Sequence, residues 1–330
     1  MEKYRDKTRG MLLGLAVGDA LGAPVEFLPD PSDVYIKEMG DKIEHFHKNY
    51  RAPEGVWTDD TEMALCIADS LIVNKGYDSY DIMNRFTAWM NEGYRAYDDK
   101  PACDVGGQTR RAIVDYEECP VVYENNTTDS AGNGAIMRLA PIIISNHDNL
   151  ENAVKTAILS CRETHNSIVA EAITGLFATA LYDAMHGIDK KDIIKKYSRV
   201  LPPEYDEVWL ETMDTIILRA VNKDEKALIN LGGYIVDTIT IVLWGLYNYD
   251  NFKDGMMAVI RLGGDTDTNA ACYGQLAGAY YGYDKIPEEW RKEVYKSDEL
   301  VEIADKLYRI NKCPIIKTRF ADDENFKEPE

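Results

Sequence analysis

The stretch GMLLGLAVGDALGAPVEF, Gly10 to Phe27, repeats glycine at every fourth position: Gly10, Gly14, Gly18 and Gly22. At 3.6 residues per turn these four lie along one face of a helix. Each glycine costs about 1 kcal/mol of helix stability against alanine. The expected return is the close approach of a second backbone where a Cβ would not fit. The stretch therefore predicts a helix over residues 7–23, buried at the middle of a helical protein.

Outward from this helix the same periodicity recurs. It predicts further helices over 60–74, 79–92, 105–117, 134–145, 150–162, 166–186, 190–198, 206–221, 233–248, 251–261, 268–282 and 287–309. Several are apolar almost all round, as helices inside a large core are. Alternating strand patterns are rare. No Gly-, Ser- or Pro-rich linker divides the chain, and no repeat period suggests a solenoid. The expected fold is an all-α, compact, single-domain multi-helix bundle over residues 1–320. The acidic stretch 321–330 is expected to be a frayed, disordered tail.

The chain has 330 residues and a formal net charge of −20. Such a surface repels phosphate backbones, so extended nucleic-acid binding and docking on anionic membranes are not expected. A small anionic ligand remains compatible, because bound cations invert the local field. No apolar stretch reaches the ~18 to 20 residues of a membrane span, and the longest candidate, Tyr234–Leu246, is interrupted by Asp237. No signal-peptide pattern is visible. Cys66, Cys103, Cys119, Cys161, Cys272 and Cys313 are scattered without a CxxC pair, and most sit in apolar surroundings. Free thiols in a reducing cytoplasm are expected.

Two acidic clusters open apolar helices. One is Trp57-Thr58-Asp59-Asp60-Thr61-Glu62, and the other is Gly263-Gly264-Asp265-Thr266-Asp267-Thr268-Asn269. Thr and Asp are preferred N-caps, and acids favour the positive end of a helix, so capping is one explanation. One cap needs one oxygen, however, and each cluster offers three or more. Adjacent carboxylates repel and require a compensating cation. A metal accounts for both clusters. Asp and Thr offer hard oxygen donors suited to Mg²⁺, Mn²⁺ or Ca²⁺, and no His lies in either cluster. If the two helix starts face each other, six side chains can hold two ions that orient substrate oxygens and activate water.

These segments together resemble the ADP-ribosylglycohydrolase family, which includes dinitrogenase reductase-activating glycohydrolases and ADP-ribosyl-acceptor hydrolases. The resemblance runs in order through GMLLGLAVGDALGAPVEF, WTDDTEMALCIADSL, GNGAIMRLAP, Thr164-His165, GGYIVDTITIVLWGLYN and GGDTDTNAACYGQLAGAYYG, from about residue 8 to 284. It implies a compact all-α domain with a binuclear Mg²⁺ or Mn²⁺ site at helix N-termini. By position it makes Thr58, Asp59, Asp60, Asp265, Asp267 and Thr268 the metal ligands, with none substituted. Glu26 matches an acidic residue beside the metals, for water activation or for positioning the scissile ribose. Asp60 and Glu26 are thereby expected to be catalytic. So is Asp104, which resembles the acceptor-side Asp of arginine-specific members.

The resemblance also implies a substrate-binding set. Gly132, Asn133, Gly134, Met137 and Arg138 match a loop near the ADP-ribose phosphates, where a Gly-rich turn exposes backbone N–H groups to an anion. Arg138 is open to a second reading, as an internal ion-pair partner. His165 matches a ligand-proximal residue, and Tyr234 an aromatic that stacks on adenine. The implied activity is hydrolysis of the bond between ADP-ribose and an acceptor. Arginine on a protein is preferred, with serine-linked substrates and O-acetyl-ADP-ribose as alternatives. A two-metal phosphoesterase and a non-catalytic crystallin-like or ADP-ribose-binding relative are the competing readings, and the intact ligand set disfavours the latter. The expected partner is an ADP-ribosylated protein or ADP-ribosyl small molecule, and a monomer suffices to complete the core.

Overall fold

The glycine face of the first helix is a packing seam. The computed structural model describes residues 4–27, 45–48, 53–102, 104–122, 131–193, 205, 212, 215–221, 232–310 and 312–329. Within these, helices α1 (Arg5–Gly22), α2 (Asp59–Asn74), α3 (Ser79–Glu92), α4 (Gly107–Glu118), α5 (Ala140–Ser145), α6 (Leu150–Arg162) and α7 (Ile168–Met185) are followed by α8 (Lys190–Ile193), α9 (Ile235–Asn248), α10 (Phe252–Arg261), α11 (Thr266–Tyr281), α12 (Glu288–Glu293) and α13 (Ser297–Tyr308). Two short parallel strands, β1 (Tyr77–Asp78) and β2 (Ile315–Lys317), pair with Tyr77 opposite Ile315. The all-α expectation holds.

Every residue of α1 from Gly10 to Gly22 is buried. A Cβ on Gly10, Gly14, Gly18 or Gly22 would lie within 3.0 Å of the backbone oxygen of Gly278, Gly274, Ala270 or Thr266, in that order. Two backbones in contact leave no room for a side chain between them, so α1 presents glycine at all four contacts, and α11 answers with glycine at two of them, Gly274 opposite Gly14 and Gly278 opposite Gly10. The order of contacts makes α1 and α11 antiparallel. The C-terminal end of α1 therefore lies beside the N-terminal end of α11, and the Thr266 hydroxyl donates to Gly22 O at 2.8 Å. The quoted stretch and the second acidic cluster meet at that point. Around the seam, α2, α7, α9 and α10 are large contributors to the remaining apolar core.

Four expectations need correction. The helix expected over 134–145 starts at Ala140, after turns at Gly134–Arg138, with Pro141 in its first turn. Proline lacks an N–H and tolerates only a helix start. The helix expected over 287–309 is two, parted at Lys296, whose φ of 52° is left-handed. Ile168–Met185 is long and apolar enough to span a bilayer, but 78% of it is buried inside the protein, which makes it a core helix. The tail expected to fray is docked on α6. Arg162 binds Asp322 at 2.9 Å and stacks on Phe320, while Lys155 meets Glu324 at 2.6 Å. Charge complementarity holds the acidic stretch down. Of the helices expected over 190–198 and 206–221, Lys190–Ile193 and 215–220 are helical; the remainder lies mostly outside the described residues. Cys66, Cys161, Cys272 and Cys313 are buried free thiols and Cys119 is exposed, with Cys103 outside the described residues.

Candidate metal centre

The two acidic clusters do not serve as caps. Thr58 is the N-cap of α2, with extended backbone, yet its side chain makes no cap hydrogen bond. Asp265, the N-cap of α11, makes none either. Elsewhere in the chain the same residue types do cap: Asp78 accepts from Tyr80 and Asp81, Asn149 from Asn152, and Asn251 from Asp254. The Thr58 and Asp265 side chains are therefore not spent on capping, although Asp267 Oδ1 does accept the Thr268 N–H at 2.8 Å.

Their neighbours show how they are held. The fully buried Asp19 of α1 accepts the Thr58 N–H at 2.8 Å and the Thr58 hydroxyl at 2.7 Å on Oδ1. Its Oδ2 accepts the Thr61 N–H at 3.0 Å and the Thr61 hydroxyl at 2.6 Å. Asn133 Nδ2 donates to Asp265 Oδ2 at 2.8 Å and to Thr238 Oγ1 at 3.0 Å. Glu62, the last residue of the first cluster, faces away and accepts from Trp89 Nε1 at 2.6 Å.

The carboxylates between these anchors repel one another. Both oxygens of Asp60 are buried without a hydrogen-bond partner. Burial first, then the charges of Asp19, Asp59, Asp265 and Glu26, push its carboxyl well above the ordinary range. Asp267 is raised the same way, by burial and then by Asp265, Asp60, Glu26 and Asp59. Glu26, Asp104 and Asp267 each present an oxygen within 4.8 Å of the others. A buried carboxylate without partners is strongly disfavoured unless a cation compensates it. The donor set is oxygen alone, without imidazole or thiolate, which fits Mg²⁺ or Mn²⁺ and not zinc. The residues present therefore fit a divalent metal centre.

A neutral loop adjoins this anionic centre. Gly132 bridges Tyr234, and the Asn133 N–H donates to Gly233 O at 3.0 Å, so this turn lies beside the start of α9. Tyr234 is 42% exposed, with its ring open to solvent. Beneath the turn, the imidazole of His165 comes so close that a Cβ on Gly132 would stand 3.1 Å from Nε2. Burial and the Arg138 charge push the His165 pKa down to about 3, so the ring is neutral.

The surrounding bonds favour one tautomer of this ring. Arg138 Nη2, which can only donate, reaches Thr164 Oγ1 at 2.7 Å. The Thr164 hydroxyl lies 2.7 Å from His165 Nδ1, and donating there gives its proton an acceptor while its oxygen accepts from Arg138. The ring proton then sits on Nε2, facing the glycine turn. The ¹⁵N spectrum of the ring is expected to report the neutral Nε2–H form throughout pH 5–8. A protonated ring at pH 5 would contradict it. Because unfolding restores an ordinary pKa of about 6.5, this residue's stabilisation is complete above that pH and is lost as pH falls toward about 3.

The sequence matches the model of the ADP-ribosylglycohydrolase family over residues 1–314. It is 33% identical over 310 residues to the ADP-ribosylarginine hydrolase Tri1 of Pseudomonas putida (strain GB-1), covering 93% of this chain and 79% of that one. The chain belongs to the ADP-ribosylglycohydrolase family. It is also 30% identical over 298 residues to the ADP-ribosyl-[dinitrogen reductase] glycohydrolase of Rhodospirillum rubrum, covering 86% and 89%. A solved ADP-ribosylglycohydrolase-related protein complex superposes with a TM-score of 0.74 at 31% identity, covering 94% of this chain and all of that one.

Within this glycohydrolase chain, the structure gathers Glu26, Asp59, Asp60, Asp104, Asp265 and Asp267 into one electrostatic group. Thr58 and Thr268 open the helices that carry it. Gly132, Asn133, Gly134, His165 and Tyr234 lie together at its flank. Arg138 and Met137 are placed differently from expectation. Arg138 is fully buried over the Phe86 ring, donating to Ser160 O and Thr164 Oγ1, and its pKa is pushed down to about 10 by burial. It reaches neither solvent nor a surface-borne phosphate, and its direct hydrogen-bond partners are uncharged. Met137 is buried in the core, and its carbonyl accepts from Gln275 Nε2. Asp19 was missed among the site residues. Its signal was a carboxylate inside the otherwise apolar, glycine-faced stretch Gly10–Gly22 of α1.

Proposed function

We propose that this protein is a metal-dependent hydrolase that releases ADP-ribose from N-linked ADP-ribosyl-arginine. The observation that carries the metal dependence is Asp60, whose two buried oxygens have no protein donor among charges that are all negative. Thr58, Asp59, Asp60, Asp265, Asp267 and Thr268 would hold two Mg²⁺ or Mn²⁺ ions. When bound, such ions supply Lewis-acid stabilisation, hold the ribose hydroxyls and lower the pKa of water.

The protein's own groups supply the remainder. The Gly132–Gly134 turn, backed from beneath by the neutral imidazole of His165, offers an uncharged polar lining to the diphosphate. Tyr234 offers an exposed ring to the adenine. Glu26 takes one proton of the attacking water as its oxygen bonds to C1″ and the C1″–N bond breaks, and that proton passes to the departing guanidine nitrogen. Asp104 lies beside Glu26 and Asp267, where an anion complements a guanidinium acceptor. The arginine assignment is supported by the relatives named ADP-ribosylarginine hydrolase. The partner is an ADP-ribosylated protein or a small ADP-ribosyl compound. The charge of −20 disfavours an extended nucleic-acid footprint.

Incubation with ADP-ribosyl-arginine, with and without a chelator, tests the reading by chromatography of free ADP-ribose. Chelator-sensitive release is expected. Release of a nucleoside monophosphate would instead indicate a phosphoesterase. Absence of release from folded, metal-loaded protein removes the arginine assignment, and serine-linked substrate and O-acetyl-ADP-ribose are the next acceptors to try.

A further inference from the structure

We infer that Asp19 is a positioning residue for the metal centre: it caps α2 from outside and thereby turns the Thr58 hydroxyl into a cation ligand. The inference rests on the proposed metal site and adds a residue to it.

A threonine at an N-cap ordinarily accepts the N–H of the third helical residue with its own hydroxyl oxygen. In α2 that N–H belongs to Thr61, and it goes to Asp19 Oδ2, not to Thr58. Asp19 has taken over the cap from a neighbouring helix. Thr58 is released from capping, and its hydroxyl proton is taken by Asp19 Oδ1 at 2.7 Å. A hydroxyl has one proton and two lone pairs. With the proton fixed on an acceptor-only carboxylate, the lone pairs are directed elsewhere. A cation needs that polarity, since a hydroxyl that points its proton at an ion is repelled by it. A carboxylate behind a ligating group also raises its donor strength and fixes its orientation.

The placement of Asp19 supports this purpose. It is fully buried, so its desolvation must be offset, and four hydrogen bonds from two threonines do so. It stands one residue from Gly18, on the helix whose seam fixes its position against α11. The same carboxylate thus ties the Thr58 end of the site to the helix that borders the Asp265 end. Asp78, Asn149 and Asn251 perform the same capping on their own helices at sites with no metal cluster among the described residues. An external cap was therefore not needed merely to start a helix.

Calorimetric titration of Mn²⁺ into the chelator-stripped full chain tests the inference, with a thermal melt of each metal-free variant. Asp19→Asn is expected to weaken Mn²⁺ binding roughly 10- to 100-fold. Thr61→Val removes another of the carboxylate's partners without touching Thr58. It is expected to stay within about three-fold of wild type, even where its melt falls. Thr58→Val, which weakens binding by itself, is expected to add little once Asp19→Asn is present. Unchanged Mn²⁺ affinity in Asp19→Asn, or equal losses in Asp19→Asn and Thr61→Val, overturns the inference and leaves Asp19 a helix clamp. A wild-type chain that binds no Mn²⁺ fails the metal site as a whole, whereas wild-type binding with an indifferent Asp19→Asn fails only this step. Should Asp19→Asn not fold, the wild type decides by NMR. Saturation with Mg²⁺ is expected to leave the Thr58 hydroxyl proton slowly exchanging against Asp19, and its loss overturns the assignment.

Discussion

Asp60→Asn is expected to lower turnover by about 10³-fold or more while the protein stays folded. Asp60 makes no hydrogen bond that holds the structure together. Its charge is opposed by burial and by four neighbouring carboxylates. Asparagine keeps the shape and removes that charge, so metal affinity falls with activity while packing survives. The pH dependence carries the same sign. Asp60 and Asp267 titrate above the ordinary carboxylate range in the metal-free fold. Between the unfolded value, about 3.9, and the raised folded value, the native state binds more protons than the unfolded one. Stability of the chelated protein therefore declines as pH rises through that window. At pH 7 the metal-free Asp60→Asn variant is expected to melt at or above wild type, and to gain less on adding Mg²⁺. Turnover and paired melts check this. Unchanged turnover sinks the ligand assignment, and a collapsed melt would mean that Asp60 is structural.

The second large effect concerns the seam. Gly274→Val is expected to cost about 3 kcal/mol or more, or to prevent folding. A Cβ there meets Gly14 O and Gly14 C, which are backbone atoms that cannot rotate aside. Relief requires α1 and α11 to part, and they carry Asp19 on one side and Asp265 and Asp267 on the other. Metal affinity should fall with stability. Gly107→Ala is the control, because nothing lies within 4 Å of a Cβ at that position. Urea unfolding of the two variants checks the contrast. Equal midpoints would mean that the seam is not close-packed.

Much of this was legible in the sequence because it has a period or a motif. The glycine face of α1 predicted a backbone contact, and 3.6-residue periodicity located most of the helices. The acidic clusters identified themselves by offering more oxygens than a cap can use. What the sequence concealed depends on direction in space. Arg138 sits in a motif segment, yet its guanidinium turns inward to Thr164, and no one-dimensional pattern distinguishes the two orientations. Met137 is hidden for the same reason. Pro141 and Ser297-Asp298-Glu299 were start signals inside runs read as continuous helix, because apolar periodicity outweighed them. The tail 321–330 read as disordered because its acids find Lys155 and Arg162 only after the chain has folded back. Asp19 is the instructive omission. A carboxylate inside an apolar helix carries a desolvation cost that only a specific task offsets, and its partners lie 39 and 42 positions away.

The seam also sets a clock. Gly22 and Thr266 meet across 244 positions of chain. A ribosome adding about 5–20 residues per second needs roughly 12–50 s to make the second helix after the first. Throughout that interval α1 is an apolar, glycine-faced helix without its partner, exposed to chaperones and to other nascent chains. Thr58, Asp59 and Asp60 are made early, but Asp265, Asp267 and Thr268 emerge only with the last quarter of the chain. On the proposed metal-dependent reading the newborn chain holds only half of its donor set until α11 closes onto α1, so competence arrives in one late step.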